Sequence, residues 1–290
     1  MDGGSDRQAE VPLRAAQVFD QLRLPRVFMI VVVTGTTAFG FGAPTARTAI
    51  AAGAAGLLSM GCFLLDHLFD SKKDGAGGRS SNPFTAGTLA PRVGWILITL
   101  LLAGASALAL PLGWPALACA ACIVLVVAGL GIGILDGPIA RAVSLGALQG
   151  LYALLGGLAA GPPRVGIGLT ALFLLLAMTG GRVLGDVRDM ETDARAGTRT
   201  IPLRFGMRAS ILFLFCFETL AYFAGAAMYL FGGMGRGWLW CLVATAAAGT
   251  VINVRFAMRP TPRMAKVANG LSLGLLGGLY SLGMVLSRIL

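Results

Sequence analysis

A chain of 290 residues with 56% apolar and only 12% charged side chains is excluded from the ordinary soluble domains. Its mean hydropathy of +0.80 places it among polytopic membrane proteins. The net charge of +10 is scattered over short loops with no soluble module, so it reads as a topology signal suited to anionic headgroups and no nucleic-acid partner is expected.

In chain order, the first 20 residues carry charges and no long apolar run, so no cleavable signal peptide is expected. Residues 1–23 are predicted to be a cytoplasmic N-terminal segment, and residues 24–290 a single nine-helix transmembrane catalytic domain. Apolar segments long enough to cross about 30 Å of hydrocarbon lie near 24–42, 45–65, 93–110, 115–135, 142–160, 165–184, 209–231, 237–256 and 267–286. The first of them must act as its own insertion signal. Small residues line several spans, as at 53–56 and 274–278, and let helices approach closely in lipid. Cys62, Cys119, Cys122, Cys216 and Cys241 all fall in or beside apolar runs. Cys119 and Cys122 form a CxxC without a second pair or a nearby His, which predicts packing residues and no disulfide.

Threaded through nine spans, all but four of the 23 Lys and Arg fall on one side; Arg47, Arg164, Arg236 and Arg288 fall on the other. The positive-inside rule makes the basic side cytoplasmic, the N-terminus included. Two acidic clusters share that side: Asp66 with Asp70, and Asp186 with Asp189 and Asp193. Carboxylates spaced i,i+4 stack on one helix face and repel, so a cation should compensate them. Arg182, Arg188 and Arg195 could neutralise the second cluster. That solution leaves Asp66 and Asp70 with Lys72, Lys73 and Arg79 alone, whereas a divalent ion accounts for both clusters. Magnesium takes one or two carboxylates, waters and phosphate oxygens. Asp66, Asp70, Asp189 and Asp193, with Asp186 as a further ligand, are therefore predicted to hold magnesium ions with a diphosphate between them.

The neighbouring cations fit that anion. Lys72, Lys73, Arg79, Arg182, Arg188, Arg195 and Arg199 would bind the diphosphate and stabilise its charge as it leaves. The glycine-rich stretch 75–78 lacks the ending of a P-loop and is predicted to be a covering loop. A diphosphate at a membrane surface beneath an apolar bundle implies an isoprenoid diphosphate, with a charged head and an alkyl tail. Ionising its allylic C–O bond needs a dry pocket and aromatic faces. Phe63, Phe69, Phe84, Tyr152, Phe173, Phe213, Phe217 and Tyr222 are available, though each alone reads first as packing.

Other polar residues lie within the spans. Glu218 sits mid-span with Tyr222 one turn on, and an acid there is read as functional. It would accept a proton or orient an acceptor, the alternative being a protonated acid bonded to a neighbouring helix. His67 reads as an interfacial residue, and Asn253 and Asn269 as helix–helix hydrogen-bond residues.

With these residues in place, the chain resembles the UbiA superfamily of intramembrane prenyltransferases. That family carries Asn-xxx-Asp-xxx-Asp after its second helix and Asp-xxx-Asp after its sixth. Here the first reads Cys62-xxx-Asp66-xxx-Asp70. The second runs from Asp186 through Asp189 and Asp193 to Gly197, Arg199, Thr200 and Pro202, a close likeness over some twenty residues. Asn82-Pro-Phe-Thr-Ala-Gly87 is similar to the family's Arg-Pro-Leu-x-x-Gly, with Asn82 in place of Arg. Gln149-Gly-Leu-Tyr152 resembles its Arg-Gly-Leu-Asn, which places Gln149, Tyr152 and Asn82 among the substrate-binding residues.

The resemblance implies an all-α fold of about nine helices around a central cavity, and magnesium bridging the Asp clusters to a prenyl diphosphate. It also implies transfer of the prenyl group to an aromatic or lipid-precursor acceptor. A branch of the superfamily consists of membrane terpene cyclases, and the loss of polar groups alongside Tyr152 suits that alternative. A lipid-phosphate binder or transporter is the third reading, one that predicts no diphosphate release. In both enzyme readings the protein is integral to the cytoplasmic membrane and its site opens to the cytoplasm, whereas a transporter would open a path to both sides.

Overall fold

The computed structural model describes residues 23–76 and 82–290; of Lys72, Lys73 and Ala76 only the backbone is described. The N-terminal segment predicted for residues 1–23 lies, except for Arg23, outside the described residues, as does Arg79. The described residues form helices and no strands. In order these are α1 (Leu24–Gly40), α2 (Thr45–Ala76), α3 (Pro91–Ala109), α4 (Trp114–Gly131), α5 (Pro138–Leu158) and α6 (Val165–Arg188). They continue with a short α7 (Met190–Arg195), then α8 (Ile201–Phe231), α9 (Arg236–Met258) and α10 (Pro262–Ile289). Eight of them are long and apolar enough to cross a membrane, and α1, at 17 residues, is a shorter apolar helix. The nine expected segments are therefore present as helices.

Proline sets where many of these helices begin. Pro25, Pro91, Pro115, Pro138, Pro202 and Pro262 stand in the first turns of α1, α3, α4, α5, α8 and α10. A missing N–H costs nothing there, because the first N–H groups of a helix have no intrahelical partner. At the ends remote from the aspartates, arginines supply donors to carbonyls that lipid cannot solvate. Arg47 Nε donates to the Ala159 carbonyl at 2.7 Å and its Nη2 to the Leu112 carbonyl at 3.3 Å. Arg288 Nη1 donates to the Phe39 carbonyl at 2.9 Å.

The helices close around a central space. α1 packs on α2, α5 and α10; α5 packs on α6, α6 on α8, α9 on α10, and α10 also meets α6. Glycines on α5 allow close approach to both α6 and α1. A Cβ at Gly150 would lie 2.6 Å from the Ala171 carbonyl of α6, and one at Gly156 would collide with the Thr34 carbonyl of α1. The far end of the space is filled by Phe173, Trp238 and Tyr280. Phe173 and Trp238 meet edge to face at 5.5 Å, and the Tyr280 hydroxyl shares a 2.5 Å hydrogen bond with Thr37.

Three boundaries differ from expectation. α2 does not stop near residue 65 but runs to Ala76, so Asp66, Asp70 and Lys73 all stand on it. α6 likewise runs to Arg188, making Arg182 and Arg188 helical rather than loop residues. Charge ends a lipid-buried span but not a helix, whose backbone is satisfied internally wherever it emerges. α8 starts at Ile201 instead of near 209, and it is broken at Gly206, whose φ of 81° only glycine adopts without strain.

Candidate active site

The two aspartate arms arrive from different local structures. On α2, Asp66 faces back to the head of α1, where Arg23 Nη1 lies 3.2 Å from its Oδ2. The same guanidinium stands 5.4 Å from the centre of the Phe63 ring. Asp70 follows one turn later and Asp74 one turn after that, the latter buried. Asn82, in the loop beyond, closes onto this helix. Its Nδ2 donates to Asp74 at 2.8 Å and to the His67 carbonyl at 2.7 Å, while its Oδ1 accepts from the Phe84 N–H at 3.0 Å.

The second arm is a break between helices. α6 ends at Arg188, Asp189 is the junction, and α7 begins at Met190. Arg182 Nε lies 2.8 Å from Asp186 Oδ1, one turn along α6. Arg188 grips the carboxylate of Asp189 with two hydrogen bonds, Nε to Oδ1 at 2.7 Å and Nη2 to Oδ2 at 2.6 Å. Asp186 and Asp193 are buried, and the Asp193 carbonyl accepts from the Thr198 N–H at 2.9 Å to turn the chain toward α8.

Between the arms opens a cavity of about 460 Å³, within the range of about 300–1,000 Å³ usual for small-molecule sites. Its charged end is formed by Arg23, Arg26, Asp66, Arg182 and Arg188, with Gln149 near by in the lining. Deeper, Cys62 and Tyr152 share the wall and face each other. Glu218, Tyr222, Thr245, Asn269 and Ser272 line the side made by α8, α9 and α10, and Tyr280 stands toward the far end. The rest is mostly aliphatic, including Ile30, Val33, Leu148, Leu174 and Leu276. Four arginines against one aspartate make the charged end cationic, which suits an anion; the apolar length suits an alkyl chain.

The predicted residues are gathered only in part. Asp66, Gln149, Tyr152, Arg182, Arg188, Glu218 and Tyr222 line this one cavity. Asp70, Asp186, Asp189, Asp193 and Arg199 do not line it, and Arg199 is exposed. Asn82 is also absent from the lining, because its polar atoms are taken up by the loop it closes. Arg79 and the Lys73 side chain lie outside what is described. Among the described residues no three His, Cys, Asp or Glu side chains form a metal-holding group. The described carboxylates thus stand on two separate arms without three of them meeting in one group. Asp66, Asp186 and Asp189 turn instead to Arg23, Arg182 and Arg188.

The donors still fit magnesium in kind. They are hard carboxylate oxygens only, and magnesium needs just one or two beside water and phosphate. An anion entering between the arms would also offer the arginines a second partner. Sequence reasoning counted Arg23 and Arg26 only toward topology. Their spacing of three at the head of the first apolar run, on the side of the aspartates, was the available signal.

A helical membrane bundle with an apolar cavity, cationic at one end, defines a class of proteins built to hold an amphipathic anion. Within that class, the chain matches the UbiA prenyltransferase family over residues 27–276 and belongs to that family. Solved structures share the fold. One, from work on digeranylgeranylglyceryl phosphate synthase in membranes, is 17% identical with a TM-score of 0.75, over 94% of this chain and 98% of that one. The apo structure of a UbiA homologue from Aeropyrum pernix K1 is 17% identical, also at 0.75, over 92% and 99%. A UbiA homologue from Archaeoglobus fulgidus bound to DMAPP and Mg2+ is 14% identical with a TM-score of 0.69, over 93% and 99%. No protein of curated function matches the chain in sequence.

Proposed function

We propose that this protein ionises an isoprenoid diphosphate inside the membrane, with magnesium, and transfers the prenyl group to an aromatic or lipid-precursor acceptor. The observation that carries this reading is the convergence of Arg23, Arg26, Arg182 and Arg188 with Asp66 at one end of a single apolar cavity. Membership of the UbiA prenyltransferase family supports it. So do the Archaeoglobus fulgidus homologues solved with DMAPP and Mg2+ and with GPP and Mg2+.

In this reading the diphosphate sits among the arginines, joined by Lys73, Arg79 and Arg199. Asp66, Asp70, Asp189 and Asp193, with Asp186, would hold magnesium, which supplies charge stabilisation to the leaving diphosphate when bound. The arginines orient the diphosphate and balance the charge that develops on it. The aliphatic walls take the prenyl tail and keep water from the cation. Positive charge at the aspartate end makes that end cytoplasmic, so the site of an enzyme in the cytoplasmic membrane opens inward.

The Cys62–Tyr152 pair favours a second reading, cyclisation of the chain without an acceptor. It places an aromatic ring and a weakly polar thiol where the family pattern has asparagines.

The test incubates purified protein with geranyl, farnesyl or geranylgeranyl diphosphate, with and without magnesium, and with and without phenolic acceptors. Magnesium-dependent diphosphate release is expected. Prenylated phenol identifies the transferase, and hydrocarbon or terpene alcohol without acceptor identifies the cyclase. No release under any condition, with wild type indistinguishable from an Asp66→Ala/Asp189→Ala variant, overturns both readings and leaves a lipid-phosphate binder.

A further inference from the structure

Deeper in the same cavity lies a second polar site that neither the aspartate arms nor the arginines explain. Glu218 on α8 faces α6, where a Cβ added at Gly180 would lie 3.4 Å from the Glu218 Cγ. Gly180 precedes Arg188 by eight residues of helix, so this level is about 12 Å deeper than Arg188 at 1.5 Å per residue. Asn253 Nδ2, on α9, donates to Glu218 Oε2. The Tyr222 hydroxyl faces the same carboxylate. Gly249 leaves space for that hydroxyl: a Cβ there would lie 2.6 Å from it. Asn253 is fully buried, whereas Glu218 and Tyr222 line the cavity. Ser272 on α10 lines it as well, with a buried Oγ that has no hydrogen-bond partner.

Stability does not account for this group. An acid at membrane depth is costly, and well-packed apolar side chains of similar volume would serve the bundle as well or better. Its place along the cavity does suggest a use. The reacting carbon of a prenyl diphosphate is bonded to the diphosphate, so the first isoprene units lie between the level of Arg188 and that of Glu218. Any fate of the prenyl cation that forms a neutral product also sheds one proton, and of the two carboxylates that line the cavity, Asp66 and Glu218, only Glu218 lies away from the cationic end.

We propose that Glu218, held by Asn253 and Tyr222, is the proton acceptor of the reaction; this rests on the prenyl-diphosphate reading above. The C–O bond breaks and its electron pair stays on the diphosphate. The electron pair of the attacking group, an acceptor carbon or hydroxyl or a double bond of the chain itself, forms the new bond to the cation. The proton then leaves the attacked acceptor atom or, in cyclisation, a carbon next to the final cation whose C–H electron pair becomes a double bond; it passes to the Glu218 carboxylate, leaving a neutral carboxylic acid and a neutral product. Both sources of the proton place the same demand on the wall. Asn253 and Tyr222 act as positioning residues, each facing the anion that must receive the proton.

The test measures diphosphate release and prenyl products separately in the purified full chain, using the three diphosphates and the phenols named above. For Glu218→Gln, product per diphosphate released is expected to fall about 100-fold, the scale of general-base catalysis, with the balance recovered as prenyl alcohol from capture by water. Glu218→Asp, which keeps the carboxylate, is expected to restore part of the product ratio; it carries the test alone if the Gln variant does not fold. Prenylated phenol in the wild type identifies the acceptor as proton source, and hydrocarbon without phenol identifies the chain. An unchanged product ratio in Glu218→Gln overturns the proposal while leaving the prenyl reading intact. So does a parallel loss of release and product in both variants, which marks a structural role. Absence of magnesium-dependent release in the wild type overturns the prenyl reading, and this inference with it.

Discussion

The two aspartate arms are written alike in sequence, as carboxylates four residues apart, yet they are built differently. The first lies on an unbroken helix: Asp66, Asp70 and Asp74 stack on α2, and Asp66 reaches Arg23 across 43 residues of sequence. The second is a helix break, with Asp186 on α6, Asp189 at the junction and Asp193 in α7, and with arginine partners only one and four residues away. Among the described pairs, the first arm meets its arginine through tertiary packing, whereas the second meets Arg182 and Arg188 within its own stretch of chain. Motif spacing therefore specifies where the carboxylates are, but not which cations they meet.

The largest expected effect treats the arms as one unit. Chelating divalent metal should abolish diphosphate release, and added magnesium should restore it in wild-type protein; release that persists in chelator would separate both arms from metal. Next, Asp66→Asn and Asp189→Asn should each lower the release rate by about 10²–10³-fold, the usual scale for losing one charge-stabilising group. A tenfold difference between the two variants, read by the same assay, would show that one arm dominates.

Asp186→Asn tests the second arm by stability. Its carboxyl is 3% exposed against Arg182, and breaking such a pair should cost about 3 kcal/mol, seen as a lower unfolding midpoint in detergent. Asn82→Ala probes the first arm in the same way. It removes the donor to Asp74 and the tie to the His67 carbonyl, at about 1–3 kcal/mol, and should leave the release rate nearer wild type than any aspartate variant. The smallest change is Gly197→Ala, after α7, where φ is 66°; about 1–2 kcal/mol of strain is expected.

Much of this architecture was legible in the chain. Nine apolar runs separated by charge sufficed to place nine helices, because lipid leaves few other ways to satisfy a backbone. Helix ends were read less well. The charges after Leu65 and Leu184 mark the ends of the apolar spans, while the helices run on past them. Thr200-Ile-Pro202 carried a usable start signal for α8, a proline in the first turn, ahead of the apolar run. Of the cavity wall, Asp66, Gln149, Tyr152, Arg182, Arg188, Glu218 and Tyr222 could be named from motif and span position. Arg23 and Arg26 could not be, since the Arg23–Asp66 pairing exists only once α1 lies against α2. Asn82 stood at a motif position, yet its hydrogen bonds spend it on loop closure. The pairing of Cys62 with Tyr152 also lay out of reach: two separate departures from a family pattern gave no sign that they touch.

The far end of the bundle holds a feature with mechanical weight. A single guanidinium, that of Arg47 in the first turn of α2, takes up carbonyls from the turn after α3 and from the end of α5. It works like a keystone tying together the ends of three elements that already pack on one another. Strain arriving at that corner is shared rather than localised, so the amides around Thr48, Gly113 and Ala160 should lose hydrogen-exchange protection together. In Arg47→Ala, which loses both donors, that shared protection should break into three independent rates.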